Sequence, residues 1–120
     1  MAHYVDGFVL PLPQDKIEDY RKIAEMACKV WMDHGALGYF ECVGDDLQVK
    51  DVISFSTIAG AAPGETVVFA WIMFQSREHR DEVNAKVMSD PRMNAFEAMG
   101  PMPFDCKRLA YGGFKTIVEG

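Results

Sequence analysis

Polar and apolar residues alternate along "HYVDGFVLPLP": Tyr4, Asp6, Phe8 and Leu10 fall on one side, Val5, Gly7 and Val9 on the other. A period of two is that of a strand. Pro11 and Pro13 cannot donate to a ladder and are expected to stop it. From Gln14 the period lengthens. Ile17, Tyr20, Ala24, Ala27, Cys28 and Trp31 recur at three- and four-residue steps, and the charged residues between Asp15 and Glu25 fall largely outside that stripe. This spacing predicts an amphipathic helix of about five turns, with Gly35 placed to end it in the left-handed conformation. "ALGYFECV", residues 36–43, returns to alternation, with Leu37, Tyr39 and Glu41 on one side and Phe40 and Cys42 on the other. It reads as a second strand.

Residues 44–65 form a long connection, in which "VISFSTI" suggests a short added strand and "GAAPGE" a turn. "TVVFAWIMFQ", residues 66–75, is the third strand and carries no charge at all. Ser76 suits the N-cap of a second helix whose stripe is His79, Val83 and Val87. In "SDPRMNAFEAMGP" Asp90 caps, Pro91 takes the first helical position, and Gly100 with Pro101 terminates a short third helix. "KRLAYGGFKTIV" closes as a fourth strand, with Gly112 and Gly113 permitting a bulge or a close backbone approach.

Strand, helix, strand, strand, helix, strand is the ferredoxin-like split βαβ plan, an α+β fold with a four-stranded antiparallel sheet and the helices on one face. At 120 residues the chain is expected to form a single domain spanning 1–120. The bare face of such a sheet should be polar in a solitary molecule. In the third strand it is not: Val67, Phe69, Trp71 and Met73 alternate with Val68, Ile72 and Phe74. Exposing either set would forgo roughly 6 to 12 kcal/mol, against a whole-domain stability of about 5 to 15 kcal/mol. A homodimer packed sheet to sheet about a two-fold axis covers both faces. The alternative cover is the 44–65 segment, whose large apolar residues are few: Phe55, Ile53 and Ile58.

Composition narrows the function classes. The chain is 49% hydrophobic and 25% charged, with eight Met, eight Phe and a net charge of −6, which disfavours nucleic acid and anionic membrane surfaces as partners. No apolar run reaches the ~20 residues of a bilayer span, and no basic-then-apolar leader opens the sequence, so a cytoplasmic location is expected. Cys28, Cys42 and Cys106 are odd in number and lack Cys-x-x-Cys spacing, and His3, His34 and His79 show no paired-ligand spacing. Reduced thiols and no metal site are expected.

"YVDGFVLPLP", "GETVVFAWIMF", "VNAKVMSDPRM" and "MPFDCKRLAYGGF" resemble the corresponding stretches of a small bacterial family of unknown function typified by YbaA (domain of unknown function 1428), over about Tyr4 to Phe114. That family in turn resembles the dimeric α/β-barrel superfamily, which implies two sheets facing each other. The resemblance carries no established activity.

Three groups of residues could hold chemistry. Tyr4 and Asp6 on the first strand with Arg108 and Tyr111 on the fourth could orient a polar-tipped ligand, Asp6 serving as a base; the competing reading is an Asp6–Arg108 ion pair with packing tyrosines. Glu41 and Cys42 with His34 form a second group. His34, at a helix C-terminus, has a structural reason to be there, and Glu41 is expected at a solvent edge or interface. The superfamily's haem-degrading members imply a third, Asp6, Trp71 and His79, with an acid in place of their amide. Taken together, Tyr4, Asp6, Trp71, Arg108 and Tyr111 are the expected ligand-binding residues. The function expected is a homodimer binding a small, partly apolar metabolite without a tightly held cofactor, its enzymatic version being cofactor-independent oxygenation or isomerisation. The alternatives are a non-catalytic ligand-binding or stress-associated dimer and a haem-binding or haem-degrading protein.

Overall fold

The computed structural model describes residues 2–120. Four strands, β1 (Tyr4–Pro13), β2 (Gly38–Val43), β3 (Glu65–Phe74) and β4 (Ala110–Lys115), pair in the order β2-β3-β1-β4, every pair antiparallel. The helices are α1 (Ile17–Asp33), α2 (Phe55–Ala59), α3 (Arg77–Met88) and α4 (Ala95–Ala98). This is the α+β plan expected from the order of elements. Its shortest extent is 21 Å, room for one sheet and one layer of helices at about 10 Å each.

Local signals set the boundaries. The Ser76 hydroxyl accepts from the His79 backbone N–H at the start of α3, and the Asp90 carboxylate does the same for Arg92 ahead of Pro91. Gly35 follows α1 with φ of 109°. Three expectations are corrected. β1 does not stop at Pro11, because Pro11 and Pro13 stay in register with Val67 and Glu65. β4 ends its pairing opposite Val9, so both prolines lie where β1 has a neighbour on one side only, and a missing N–H costs nothing on an open side. "VISFSTI" contributes a helix, α2, rather than a strand. Ser54 caps it by accepting from the Thr57 N–H at 3.2 Å, and Gly60 ends it at φ 67°. Arg108 belongs to a 3-10 turn (Cys106–Arg108) before β4.

The core lies between the sheet and the helices. Leu10, Leu12, Val68 and Ala70 form one cluster. Val30, Ile72, Phe74, Val83 and Val87 form the other, joining α1 and α3 to β3. Because side chains alternate, Val67, Phe69, Trp71 and Met73 point the opposite way. There Trp71 stacks on Phe40 at 4.9 Å between ring centres and meets Phe69 edge-on at 5.5 Å. α2 packs on β1 and β3, with Phe55 edge-on to Phe69 at 5.7 Å, and Val67 on that face is buried. The 44–65 segment thus covers one end of the face and leaves the rest: Phe40 is 47%, Phe69 42% and Phe114 62% exposed. Gly7 and Gly112 sit opposite each other across β1 and β4, next to Trp71. With no side chain rising from either, a trough of about 660 Å³ opens between Trp71 and Phe114. Among the described residues no helix is long and apolar enough to cross a membrane.

Candidate functional site

Asp6 enters the helix side of the sheet from β1 and is 1% exposed. Its Oδ2 accepts from the Tyr111 hydroxyl at 3.2 Å and from Asn84 Nδ2 at 3.5 Å, while Oδ1 lies 3.4 Å from Arg80 Nη1. Arg80 also donates to Tyr111 Oη at 2.9 Å and to Tyr4 Oη at 3.3 Å, its guanidinium 5.0 Å from the centre of the Tyr4 ring. Trp31 of α1 donates to Asn84 Oδ1 at 3.0 Å, which ties α1 into the network. Burial pushes the Asp6 carboxyl up from its ordinary value, opposed by Arg80, Tyr111 and Asn84.

Tyr4, Asp6 and Tyr111 therefore come together as expected from their strands, but Arg108 does not join them. Asp6 faces Gly113 within β4, whereas Arg108 lies before the strand begins, in the 3-10 turn Cys106–Arg108. Arg108 instead holds both carboxylate oxygens of Glu65, at 2.9 and 2.8 Å, and the Gly60 carbonyl at 2.7 Å. Its place beside Asp6 is taken by Arg80, from α3. Trp71 is separated from Asp6 by the sheet itself. The same separation breaks the haem-type set, since Asp6 and α3 lie on one face and Trp71 on the other. His79 Nδ1 already accepts from the Gln75 N–H at 2.9 Å.

The second group is also divided. His34 Nε2 lies 2.8 Å from Asp90 Oδ2, so it fastens the end of α1 to the cap before α4. Cys42 is exposed on the outer face. Glu41, expected at a solvent edge or an interface, turns inward beneath α1, where it is half-buried. One oxygen accepts from Tyr20 Oη at 2.7 Å and the other from Tyr39 Oη at 2.8 Å. Both phenols are pushed well above their ordinary value by burial and then by Glu41. The Cys28 thiol is raised by the same two causes, the opposite of what a nucleophilic cysteine needs.

Around this triad the helix layer leaves space. A cavity of about 290 Å³ runs between the sheet and α1, bordered by the segment around α4. Its walls are Phe8, Leu10, Ile23, Trp31, Phe96 and Phe104, among other apolar groups, with Tyr20, Tyr39 and Glu41 as the polar part. A second cavity of about 280 Å³ shares Tyr20, Tyr39 and Glu41 and continues toward Leu12 and Val68. Neither is lined by Asp6.

Residues 3–106 match the family model described as a protein of unknown function (DUF1428). The chain belongs to the DUF1428 family. Within it, the uncharacterized protein YbaA of Escherichia coli strain K12 is 45% identical over 116 residues, 97% of each chain. Its counterpart in Shigella flexneri matches to the same extent. The fold of this DUF1428 chain also resembles that of a NIPSNAP family protein of unknown function from Agrobacterium tumefaciens. That likeness has a TM-score of 0.56 at 19% identity and covers 96% of this chain and 87% of the other. It supports the fold assignment alone.

Arg80 and Asn84 were not legible as partners of Asp6 from composition, yet a signal existed. They stand four residues apart beside the Val83 and Val87 stripe, a polar pair on one flank of an apolar helix face. Glu41 shares its strand face with Tyr39, and Tyr20 lies on the apolar stripe of α1, so the triad too was present in the pattern.

Proposed function

We propose that this DUF1428 protein is a cytoplasmic homodimer that binds a small, partly apolar molecule in the cavity between α1 and the sheet, with Glu41 as the polar anchor. The observation that carries the reading is a cavity of about 290 Å³ lined by aromatic and aliphatic side chains with a single carboxylate among them. Small-molecule sites have that composition, a greasy wall with a few convergent polar groups that fix orientation. The size is at the lower end for such sites, which suits a compact ligand. Asp6 is engaged by Arg80 and stands off both cavities, so binding rather than turnover is the activity proposed.

The homodimer rests on the uncovered aromatic face. Phe40, Phe69 and Phe114 are each about half exposed, and covering what remains would contribute roughly 2 to 5 kcal/mol per copy. The face is apolar and edge-rimmed, the form expected of a self-complementary two-fold contact. The free thiols of Cys28, Cys42 and Cys106 suit a reducing compartment.

Filling the cavity tests the binding reading. Ala27 lies on its α1 wall, and Ala27→Trp would occupy the space. Hexanol, a compact uncharged probe, should bind the native protein in a calorimetric titration and lose most of that affinity in the folded variant. Equal affinity for the two proteins would overturn the assignment.

A further inference from the structure

Among the described residues, Glu41 makes no ion pair with any Lys, Arg or His. Its two oxygens are met by phenol hydroxyls alone. Hydroxyl donors satisfy the lone pairs of a carboxylate but leave its negative charge uncompensated. Fully buried charges in folded proteins are ordinarily paired, as the other inward-facing carboxylate, Asp6, is with Arg80. Glu41 is half-buried without such a partner, and it is the one charged residue lining the 290 Å³ cavity.

Arg21 and Glu25 line the adjoining cavity, with Arg21 engaged by Glu18, but the aromatic wall of the 290 Å³ cavity has the same electrostatic preference as Glu41. Tyr20, Trp31, Tyr39, Phe96 and Phe104 line that cavity. Tyr20 meets Phe104 edge-on at 5.6 Å, and Trp31 and Tyr39 lie 6.2 Å apart. The face of an aromatic ring carries partial negative charge and attracts cations. A carboxylate without a counter-ion inside an aromatic wall therefore favours positive charge twice over, and the net charge of −6 on the chain adds a long-range bias of the same sign.

We propose that the ligand of the sheet–helix cavity is an organic cation, an ammonium group on a compact apolar body, with the charged nitrogen at Glu41 between Tyr20 and Tyr39. This deepens the binding reading given above and rests on it. A primary ammonium would donate to the Glu41 oxygens directly, with the phenols as side walls. The apolar body would lie against Phe8, Ile23 and Phe104. Anionic ligands are repelled by Glu41, and neutral ones can bring it a hydrogen bond but no compensating charge.

Three probes with one body decide the matter: hexylammonium, hexanol and hexanoate, titrated calorimetrically at neutral pH into the native protein and into Glu41→Gln. Hexylammonium should bind at least about tenfold more tightly than hexanol, the scale of a charge-assisted hydrogen bond, and hexanoate weakest. In Glu41→Gln the first two should come within about twofold of each other. Tyr39→Phe removes one phenol donor and keeps the carboxylate, so it should preserve or enlarge the preference, and it serves where Glu41→Gln does not fold. Hexanol binding as tightly as hexylammonium to the native protein would overturn the cation assignment and leave the cavity reading standing. A preference that persists in folded Glu41→Gln, or collapses in Tyr39→Phe, would overturn the role of Glu41. Failure of all three probes to bind folded protein would overturn the cavity reading itself.

Discussion

At the residue scale, two acidic side chains turned into the same layer meet opposite fates. Asp6 is 1% exposed and compensated by Arg80, whose own side chain is 14% exposed. Removing one member of a buried pair strands the other, at a cost of about 3 to 5 kcal/mol. Arg80→Met should therefore destabilise the protein by that amount in urea unfolding, and adding Asp6→Asn should restore a substantial part. A double variant no more stable than the single one would show that the pair is not coupled. Acid titration reads the surface pairs. Arg108 and the Ala62 N–H hold the Glu65 carboxyl down at about 2, from 4.5. Its folded value is depressed, so the stability it contributes is present above pH 4.5 and lost as pH falls through about 2. Glu119 carries the same sign, also falling to about 2. Asp6 has the opposite sign: burial raises it, so its contribution weakens as pH rises above 3.8. The melting temperature should drop between pH 5 and 2, and drop less in Glu65→Gln. Parallel curves for the two proteins would remove Glu65 from that transition.

At the element scale, β4 shows how a glycine pair shapes two faces at once. Gly112 leaves the trough open beside Trp71 on the outer face. On the inner face a Cβ at Gly113 would come within 2.8 Å of Tyr4 Cε2, so the hydroxyl end of the Tyr4 ring passes close over this glycine on its way to Arg80. The register from Val9 to Tyr4 runs without interruption, and of the two roles the sequence allowed for these glycines, close approach is the one realised. Gly113→Ala should displace Tyr4 from Arg80 and cost about 1 to 3 kcal/mol, the usual range for overpacking. A variant melting at the parental temperature would mean that Tyr4 is free to move aside. The strands and long helices were legible because their periodicities run over many residues and because Ser76, Asp90 and Gly35 punctuate them. α2 was not, since five residues are too few for a helical period to outweigh the β-branched run around them. Its Ser54 cap and Gly60 stop were the readable signs. The Asp6 site was half legible: strand neighbours give Tyr4 and Tyr111, but which helix residue arrives over them depends on how α3 packs, and no local pattern distinguishes Arg80 from Arg108 as the partner.

At the scale of the whole molecule, one sheet separates two faces of different character. Its inner face carries the core and the cavity at Glu41. Its outer face gathers Phe40, Phe69, Trp71 and Phe114, which α2 covers only at one end. The proposed second copy would cover what α2 leaves and close the trough over Gly7 and Gly112. A charge placed at the centre of that contact would have to be buried unpaired. Trp71→Glu should accordingly weaken self-association at least about 100-fold, while the inner face, on the other side of the sheet, keeps its capacity to bind hexylammonium. Sedimentation equilibrium of the native chain and of Trp71→Glu, across a wide concentration range, measures this directly. The account predicts the mass of two chains for the native protein and of one for the variant; a native protein that sediments as one chain at every concentration, with its stability intact, would contradict it.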